Sequence, residues 1–148
     1  MRRRTLELQK LYLRDLDTVK SELSKFSSEE ALWKDYDGIN NCAGNLILHI
    51  CGNLQHFIGA VIGDSGFERQ RDLEFSRKNV SVDELTLLIE TTYKSVEIAF
   101  DKLDDEVLDD SYPAHFRDET ISYFEMLTHL YGHLNYHLGQ VNYYRRLH

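Results

Sequence analysis

Apolar residues recur at intervals of three and four positions in four long blocks, and this period limits the possible folds more than any other feature of the sequence. The period matches the 3.6 residues of a helical turn, so each block predicts an amphipathic helix. The four helices are predicted at about residues 4–26, 42–62, 81–103 and 119–146. Helices of about 20 residues each build a bundle about 30 Å long. The sequence therefore predicts an all-α four-helix bundle, formed by residues 1–148 as one domain.

Short polar signals mark where these helices begin. Ser81 and Glu84 have the spacing of a capping box, in which the serine accepts a hydrogen bond from the first turn. Ser27 begins a similar pattern in SSEEALW and predicts a short helical turn. Asn40 or Asn41 is expected to cap the second long helix. These signals place each helix between polar connections.

The connection between the second and third long helices is polar and charged, with the sequence GDSGFERQRDLEFSRKNVS. It lacks helical periodicity, so an irregular crossover is predicted. About 18 residues at about 3.3 Å each can span the whole bundle, which would allow the two helices to run parallel. Loops of this length in compact domains are more often functional than idle.

Charge and hydropathy exclude two classes of partner. The net charge of −8 and a pI near 5.3 disfavour nucleic-acid binding, which needs a dense basic surface. No stretch approaches the about 20 apolar residues that span a bilayer, and no apolar signal segment follows MRRR. Cys42 and Cys51 are too far apart along one predicted helix to pair, as expected in a reducing compartment. We expect a soluble, cytoplasmic protein.

Three histidines follow one another at intervals of four in HLYGHLNYHLGQ. On a helical wheel, His137 lies about 30° and His133 about 70° from the centre of the apolar stripe, while His129 lies about 110° away. His133 and His137 are therefore predicted to point inward, with His129 at the edge. The inward face continues through Gln140 and Tyr144.

The second long helix carries a matching polar edge in NCAGNLILHICGNLQHFIG. His49 lies on this edge, flanked by Asn45 and Asn53. The same helix contains Gly44, Gly52 and Gly59, each costing about 1 kcal/mol against alanine in a helix interior. We interpret the glycines as leaving room for a cavity lined by His49.

Two inward imidazoles at i and i+4, with a third from a facing helix, form a three-nitrogen site that leaves coordination positions open on a metal. Zinc suits this donor set best, although imidazole also binds nickel, iron and copper. For the pair His133 and His137 taken alone, the alternative to a metal site is two histidines that are hydrogen-bonded within or beside the core. The residues lack the Glu-x-x-His motifs of a di-iron bundle, the H-E-x-x-H motif of zinc proteases and a glycine-rich phosphate loop.

Other residues allow weaker interpretations. A nucleophilic dyad between Cys42 or Cys51 and a histidine is possible, but a helical cysteine without a nearby cation is usually a small core residue. Arg69 and Arg71 could hold an anionic substrate at a pocket rim, and exposed loop arginines are the simpler interpretation. His56 and His115 are assigned surface roles.

The segments HLNYHLGQVNYYRRL and NNCAGNLILHICGNLQHFIG resemble the closing helix and the second helix of the DinB/YfiT-like metalloenzyme superfamily. The matching positions are His133, His137, Gly139 and Gln140 in the closing helix, and His49 in the second. The resemblance covers nearly the whole chain. It implies a bundle in up-down-down-up order, with a divalent metal on His49, His133 and His137, and frequently a homodimer.

Members of that superfamily with known chemistry include transferases and isomerases that use low-molecular-weight thiols. The expected cofactor is a divalent metal ion, zinc or nickel, with a low-molecular-weight thiol as co-substrate and an electrophilic small molecule as substrate. Two alternatives remain: a non-catalytic, damage-responsive metal-binding bundle, and a helical interaction module without metal. The side chains expected to orient the ligands or to line the pocket are Asn45, Asn53, Gln140, Tyr144 and Arg71.

Overall fold

The structure is a computed structural model that describes residues 1–147, and it is all-helical, as predicted. Its six α-helices are α1 (Arg3–Ser24), α2 (Glu29–Trp33), α3 (Ala43–Leu54), α4 (Arg71–Ser76), α5 (Val82–Asp101) and α6 (Tyr123–Arg145). A π-helical segment at Gln55–Ala60 continues α3, and a 3₁₀ turn at Val107–Asp109 lies between α5 and α6. No helix within residues 1–147 has the length and apolar content needed to cross a membrane.

The helix starts agree with the sequence in one case and differ in three. Ser81 caps α5 and accepts a hydrogen bond from the Glu84 backbone at 3.1 Å, as predicted. Ser28, one residue later than expected, caps α2. Cys42 precedes α3 without a side-chain cap, so the asparagine cap was wrong. Helix α6 begins four residues late, at Tyr123, because isolated bridges hold the preceding residues in an extended turn.

The crossover between α3 and α5 is not irregular throughout, because it contains α4. Periodicity could not reveal α4, since its one buried residue is the charged Glu74. Polar contacts dock this helix instead. The side-chain amide of Asn45 donates to the backbone oxygens of Glu74, at 2.9 Å, and of Arg77, at 2.8 Å. A short polar helix can therefore pack against α3 although only Glu74 of its six residues is buried.

The glycines of α3 and of its π-helical continuation allow other elements to pack closely against the helix. The interpretation that they leave room for a cavity was wrong. A Cβ atom at Gly44 would come within 3.0 Å of the Trp33 ring, and one at Gly52 would collide with the Glu74 carboxylate. A Cβ at Gly59 would collide with the Ser95 hydroxyl. The space beside these glycines is occupied by side chains from other elements, because only a residue without Cβ permits so close an approach.

Replacing Gly44 by alanine is expected to destabilise the protein by about 1–3 kcal/mol, because the new Cβ would lie 2.5 Å from the Trp33 ring. Gly139→Ala is the matched control, since a Cβ there meets nothing within 4 Å. The control should stabilise α6 by about 0.5–1 kcal/mol. Urea unfolding of both variants measures the effects, and equal stability of the two would contradict the close contact at Gly44.

Two buried carboxylates on α1 contact polar groups of α6. Asp15 accepts hydrogen bonds from the Tyr131 hydroxyl at 2.5 Å and from the Asn135 amide at 3.1 Å. Glu22 accepts from Asn142 and Arg145. Around these contacts lies a continuous apolar core, whose largest fully buried side chains include Tyr12, Phe100, Leu16, Leu32, Ile47, Ile50, Leu85 and Ile89.

Candidate metal centre

Helices α3 and α6 bring three imidazole rings together. The Nε2 atom of His133 lies 3.1 Å from Nε2 of His49 and 3.1 Å from Nε2 of His137. His133 and His137 share one face of α6 because they are four residues apart, and α3 presents His49 opposite them. The structure thus assembles one cluster from His49 and two histidines that lie 84 and 88 residues later in the sequence, and such a cluster can hold a metal ion.

In two of the rings, the hydrogen bond at Nδ1 determines where the lone pair on Nε2 points. Nδ1 of His49 lies 2.9 Å from a carboxylate oxygen of Glu74, and Nδ1 of His137 lies 2.7 Å from the amide oxygen of Gln140. Both partners are acceptors, so each Nδ1 carries the proton and each Nε2 is left with a lone pair. These lone pairs converge on the cluster.

Two of the three nitrogen separations match those around a tetrahedral divalent cation, and all three nitrogens lie within 4.8 Å of one another. Tetrahedral ligands with metal–nitrogen distances of about 2.0–2.1 Å lie about 3.3 Å from one another. The separations of 3.1 Å at His133 are close to this value. Three imidazole nitrogens that converge in this way form a donor set with the chemistry of a metal site.

Burial keeps the α6 imidazoles neutral. Burial, with the neighbouring rings of His137 and His49, lowers the pKa of His133 to about 4. Burial also lowers the pKa of His137. Neutral imidazole is the form that binds metals. These ligands therefore need little deprotonation at neutral pH.

Glu74, which sequence reasoning missed, belongs to the site. Its carboxylate contacts His49 on one side and the Arg69 guanidinium on the other, at 2.8 Å from Nε and 2.9 Å from Nη2. Burial alone would raise the pKa of Glu74, but the hydrogen bonds from His49 and Arg69 hold it below its usual value. The carboxylate is therefore ionised. In the sequence, only Gly52 on α3 indicated that another element packs closely here.

Each of the other predicted side chains has different surroundings. Asn45 binds the crossover backbone rather than a histidine ring, and the amide oxygen of Asn53 is buried without a hydrogen-bond partner within residues 1–147. Tyr144 is buried and donates to the Lys34 backbone oxygen. Arg71 is exposed, with its guanidinium 5.2 Å from the Phe75 ring centre.

The remaining histidine and cysteine candidates lie outside the cluster. His129 is exposed and its ring lies 4.3 Å from that of Phe116. Both cysteines are free and buried. Burial raises the pKa of Cys51 to about 12, which disfavours a nucleophilic thiolate there. Arg69 forms an ion pair with Glu74 rather than lying free at the rim of a pocket.

A pocket of about 850 Å³ opens beside the cluster. His137 and Gln140 form part of its wall, so the pocket reaches the ligand ring and its hydrogen-bond partner. Within the described residues, Arg146 is its one fully charged side chain. Aromatic, aliphatic and amide groups form the rest: Ile39, Asn40, Asn41, Leu46, Tyr136, Tyr143, Tyr144 and Leu147, beside Gly38.

Residues 5–147 match the family described as "Protein of unknown function (DUF1572)". The match covers nearly the whole chain, so the protein belongs to this family, which has a DinB-like fold. Comparisons with curated proteins and with solved structures give no match.

Proposed function

We propose that this protein is a divalent-metal-dependent enzyme that uses a low-molecular-weight thiol to modify an electrophilic small molecule. The observation that carries the proposal is the convergence of three imidazole Nε2 atoms beside a pocket of about 850 Å³. His49, His133 and His137 are the proposed ligands, with zinc or nickel as the metal. The resemblance to the thiol-using members of the DinB/YfiT-like superfamily supports the choice of a thiol as co-substrate.

The side chains of this site would bind, orient and shield. Glu74 and Gln140 hold the outer nitrogens of His49 and His137, so the inner nitrogens stay aimed at one point. Neutral imidazoles leave a bound divalent ion its full charge, which lowers the pKa of a thiol or water beside it. The apolar and aromatic wall suits the body of a small organic molecule.

The pocket favours catalysis over purely structural metal binding. Ligand pockets for small molecules have volumes of about 300–1,000 Å³, and this pocket lies within that range. His133 and His137 are half-buried rather than sealed by packed side chains. A structural metal site would be closed on all sides. The accessible ligands therefore support an enzyme.

The order of the four long helices, α1, α3, α5 and α6, is proposed to be up-down-down-up. Contacts between helix ends support this order. The start of α1 contacts the end of α5, since Arg2 donates to the Leu103 oxygen, whereas the end of α1 contacts the end of α6 through Glu22 and Asn142. Lys102, just after α5, donates to the backbone oxygen of Gly63, just after the π-helical continuation of α3, so these two helices end on the same side. The homodimer implied by the resemblance and the cytoplasmic location predicted from the sequence remain predictions, and light scattering tests the oligomeric state.

The proposed function is tested by metal loading followed by a thiol assay. Purified protein should retain about one zinc or nickel ion per chain by mass spectrometry. The metal-loaded protein is then mixed with 1-chloro-2,4-dinitrobenzene and each of several cellular thiols. In the expected reaction the thiolate sulfur bonds to the ring carbon, chloride leaves, and the thiol proton passes to solvent. The proposal would be contradicted if the protein bound no divalent metal, or if the metal-loaded protein accelerated the reaction of none of the thiols.

Filling the pocket is expected to lower activity without altering the metal site. Ile39 lines the pocket and is half-exposed, so Ile39→Trp should lower kcat/KM for the active thiol about 10-fold, because the indole would occupy substrate volume. Zinc affinity should stay unchanged. Ile98→Trp, at an exposed position on α5 outside this pocket, is the control. Equal loss in both variants would argue against the pocket as the substrate site.

A further inference from the structure

We propose that Glu74, held by Arg69, is the positioning residue of the metal centre and fixes the proton and the orientation of His49. This inference rests on the proposed function in one respect, namely that the histidine cluster binds a metal. It assigns a role to the crossover helix α4, which supplies no ligand itself.

The first support is the geometry around His49. His49 is buried, with 6% of the residue's surface exposed, and its Nδ1 lies 2.9 Å from the Glu74 carboxylate. The Phe75 ring, the next residue of α4, lies 4.8 Å from the imidazole centre. Helix α4 therefore contacts the imidazole through two side chains, and a rotated His49 would lose both contacts.

The second support is the contact that holds the Glu74 carboxylate in place. A carboxylate accepts a stronger hydrogen bond than a neutral oxygen does, and in metal sites this contact raises the basicity of the ligating histidine. Arg69 holds the same carboxylate through both Nε and Nη2. This bidentate contact prevents the Glu74 side chain from turning toward solvent. The acceptor for His49 is thus fixed in position.

The third support is the space made for Glu74 on α3. Gly52 lies three residues after His49, and any Cβ there would collide with the carboxylate. A buried carboxylate is costly unless it is paired, so its location beneath α3 is explained by the contacts it makes. Asn45 also binds the α4 backbone one turn before His49. Helix α3 therefore accommodates α4 on both sides of the ligand.

Glu74→Ala is expected to weaken zinc binding about 10- to 100-fold, the usual effect of removing a hydrogen-bond partner of a metal ligand. Competition with a chromophoric chelator measures the affinity. Asp72→Ala is the matched control, because Asp72 is an exposed carboxylate in the same short helix and should leave the affinity within about threefold. Glu74→Gln keeps an acceptor of the same shape and should recover part of the loss.

A second pair of variants moves the carboxylate without removing it. Gly52→Ala should weaken zinc binding to a similar degree, since Glu74 must move away from the new Cβ. Gly132→Ala on α6 is the control, because a Cβ there meets nothing within 4 Å. Cobalt-loaded forms add a spectroscopic measurement. The d–d absorption bands should shift in Glu74→Ala and Gly52→Ala but match the wild type in Asp72→Ala and Gly132→Ala.

The results separate this inference from the proposed function. If wild-type protein binds no zinc or cobalt, the metal site itself is wrong. If the wild type binds metal and Glu74→Ala, Glu74→Gln and Gly52→Ala all bind it within threefold of the wild type, only the role of Glu74 is overturned. Equal weakening in Asp72→Ala would also overturn that role, since any change in α4 would then suffice.

Discussion

Replacing His133 by alanine is expected to weaken zinc binding by more than about 100-fold, beyond the effect of losing a partner that only orients a ligand. His133 lies at the centre of the cluster, since its Nε2 is 3.1 Å from the corresponding atoms of both His49 and His137. Its removal leaves two nitrogens on different helices. Metal content after dialysis, and affinity by chelator competition, measure the loss.

His129→Ala is the matched control for that experiment. His129 lies one turn before His133 on α6, is exposed, and contacts Phe116 rather than the cluster. This variant should retain wild-type zinc affinity. If both variants keep the metal, the ion is bound elsewhere. If both lose it, the effect is a general disturbance of α6 rather than the loss of a ligand.

Glu22→Ala is expected to lower the free energy of unfolding by about 3 kcal/mol at pH 7, because breaking a buried ion pair leaves an uncompensated charge. Glu22 is buried on α1 and is bound by Asn142 and Arg145 of α6. Arg145 keeps 24% of its side chain exposed, which places the expected cost at the lower end for such pairs. Urea unfolding of the metal-free protein measures the difference.

The effect of Glu22 should disappear in acid. Burial alone would raise the pKa of this carboxyl, but the hydrogen bonds from Arg145 and Asn142 hold the pKa below its usual value of about 4.3. A carboxyl with a lowered pKa in the folded state stabilises the protein fully above its unfolded pKa and loses this effect as the pH falls through the folded pKa. The difference between wild type and Glu22→Ala should therefore be constant above about pH 5 and shrink below it.

An exposed carboxylate on the same helix provides the comparison. Glu7 pairs with Arg3 at 3.2 Å, and both side chains are largely exposed to solvent. Glu7→Ala should change the free energy of unfolding by less than about 0.5 kcal/mol at any of these pH values. A loss at Glu7 as large as that at Glu22 would show that burial of the α1–α6 contact is not the source of its stability.

The sequence predicted the long helices well where an apolar stripe repeats. The predicted blocks correspond to α1, α5 and α6 with shifts of one to four residues at their ends, and the second block became α3 with its π-helical continuation. The same period failed for α4. A six-residue helix whose buried side chain is a carboxylate has no apolar stripe, so the pattern could not distinguish it from a loop.

The residues of the site also differ in whether a local sequence pattern could indicate them. Four-residue spacing on one helix determined that His133 and His137 share a face, and a polar edge on another helix indicated His49; these are local properties that a sequence carries by itself. The tertiary structure alone decided that Glu74 reaches His49, that Arg69 fixes it, and that Gly52 gives it room. These contacts join residues of separate elements through charge and shape complementarity, and such complementarity exists only after the crossover has folded against α3.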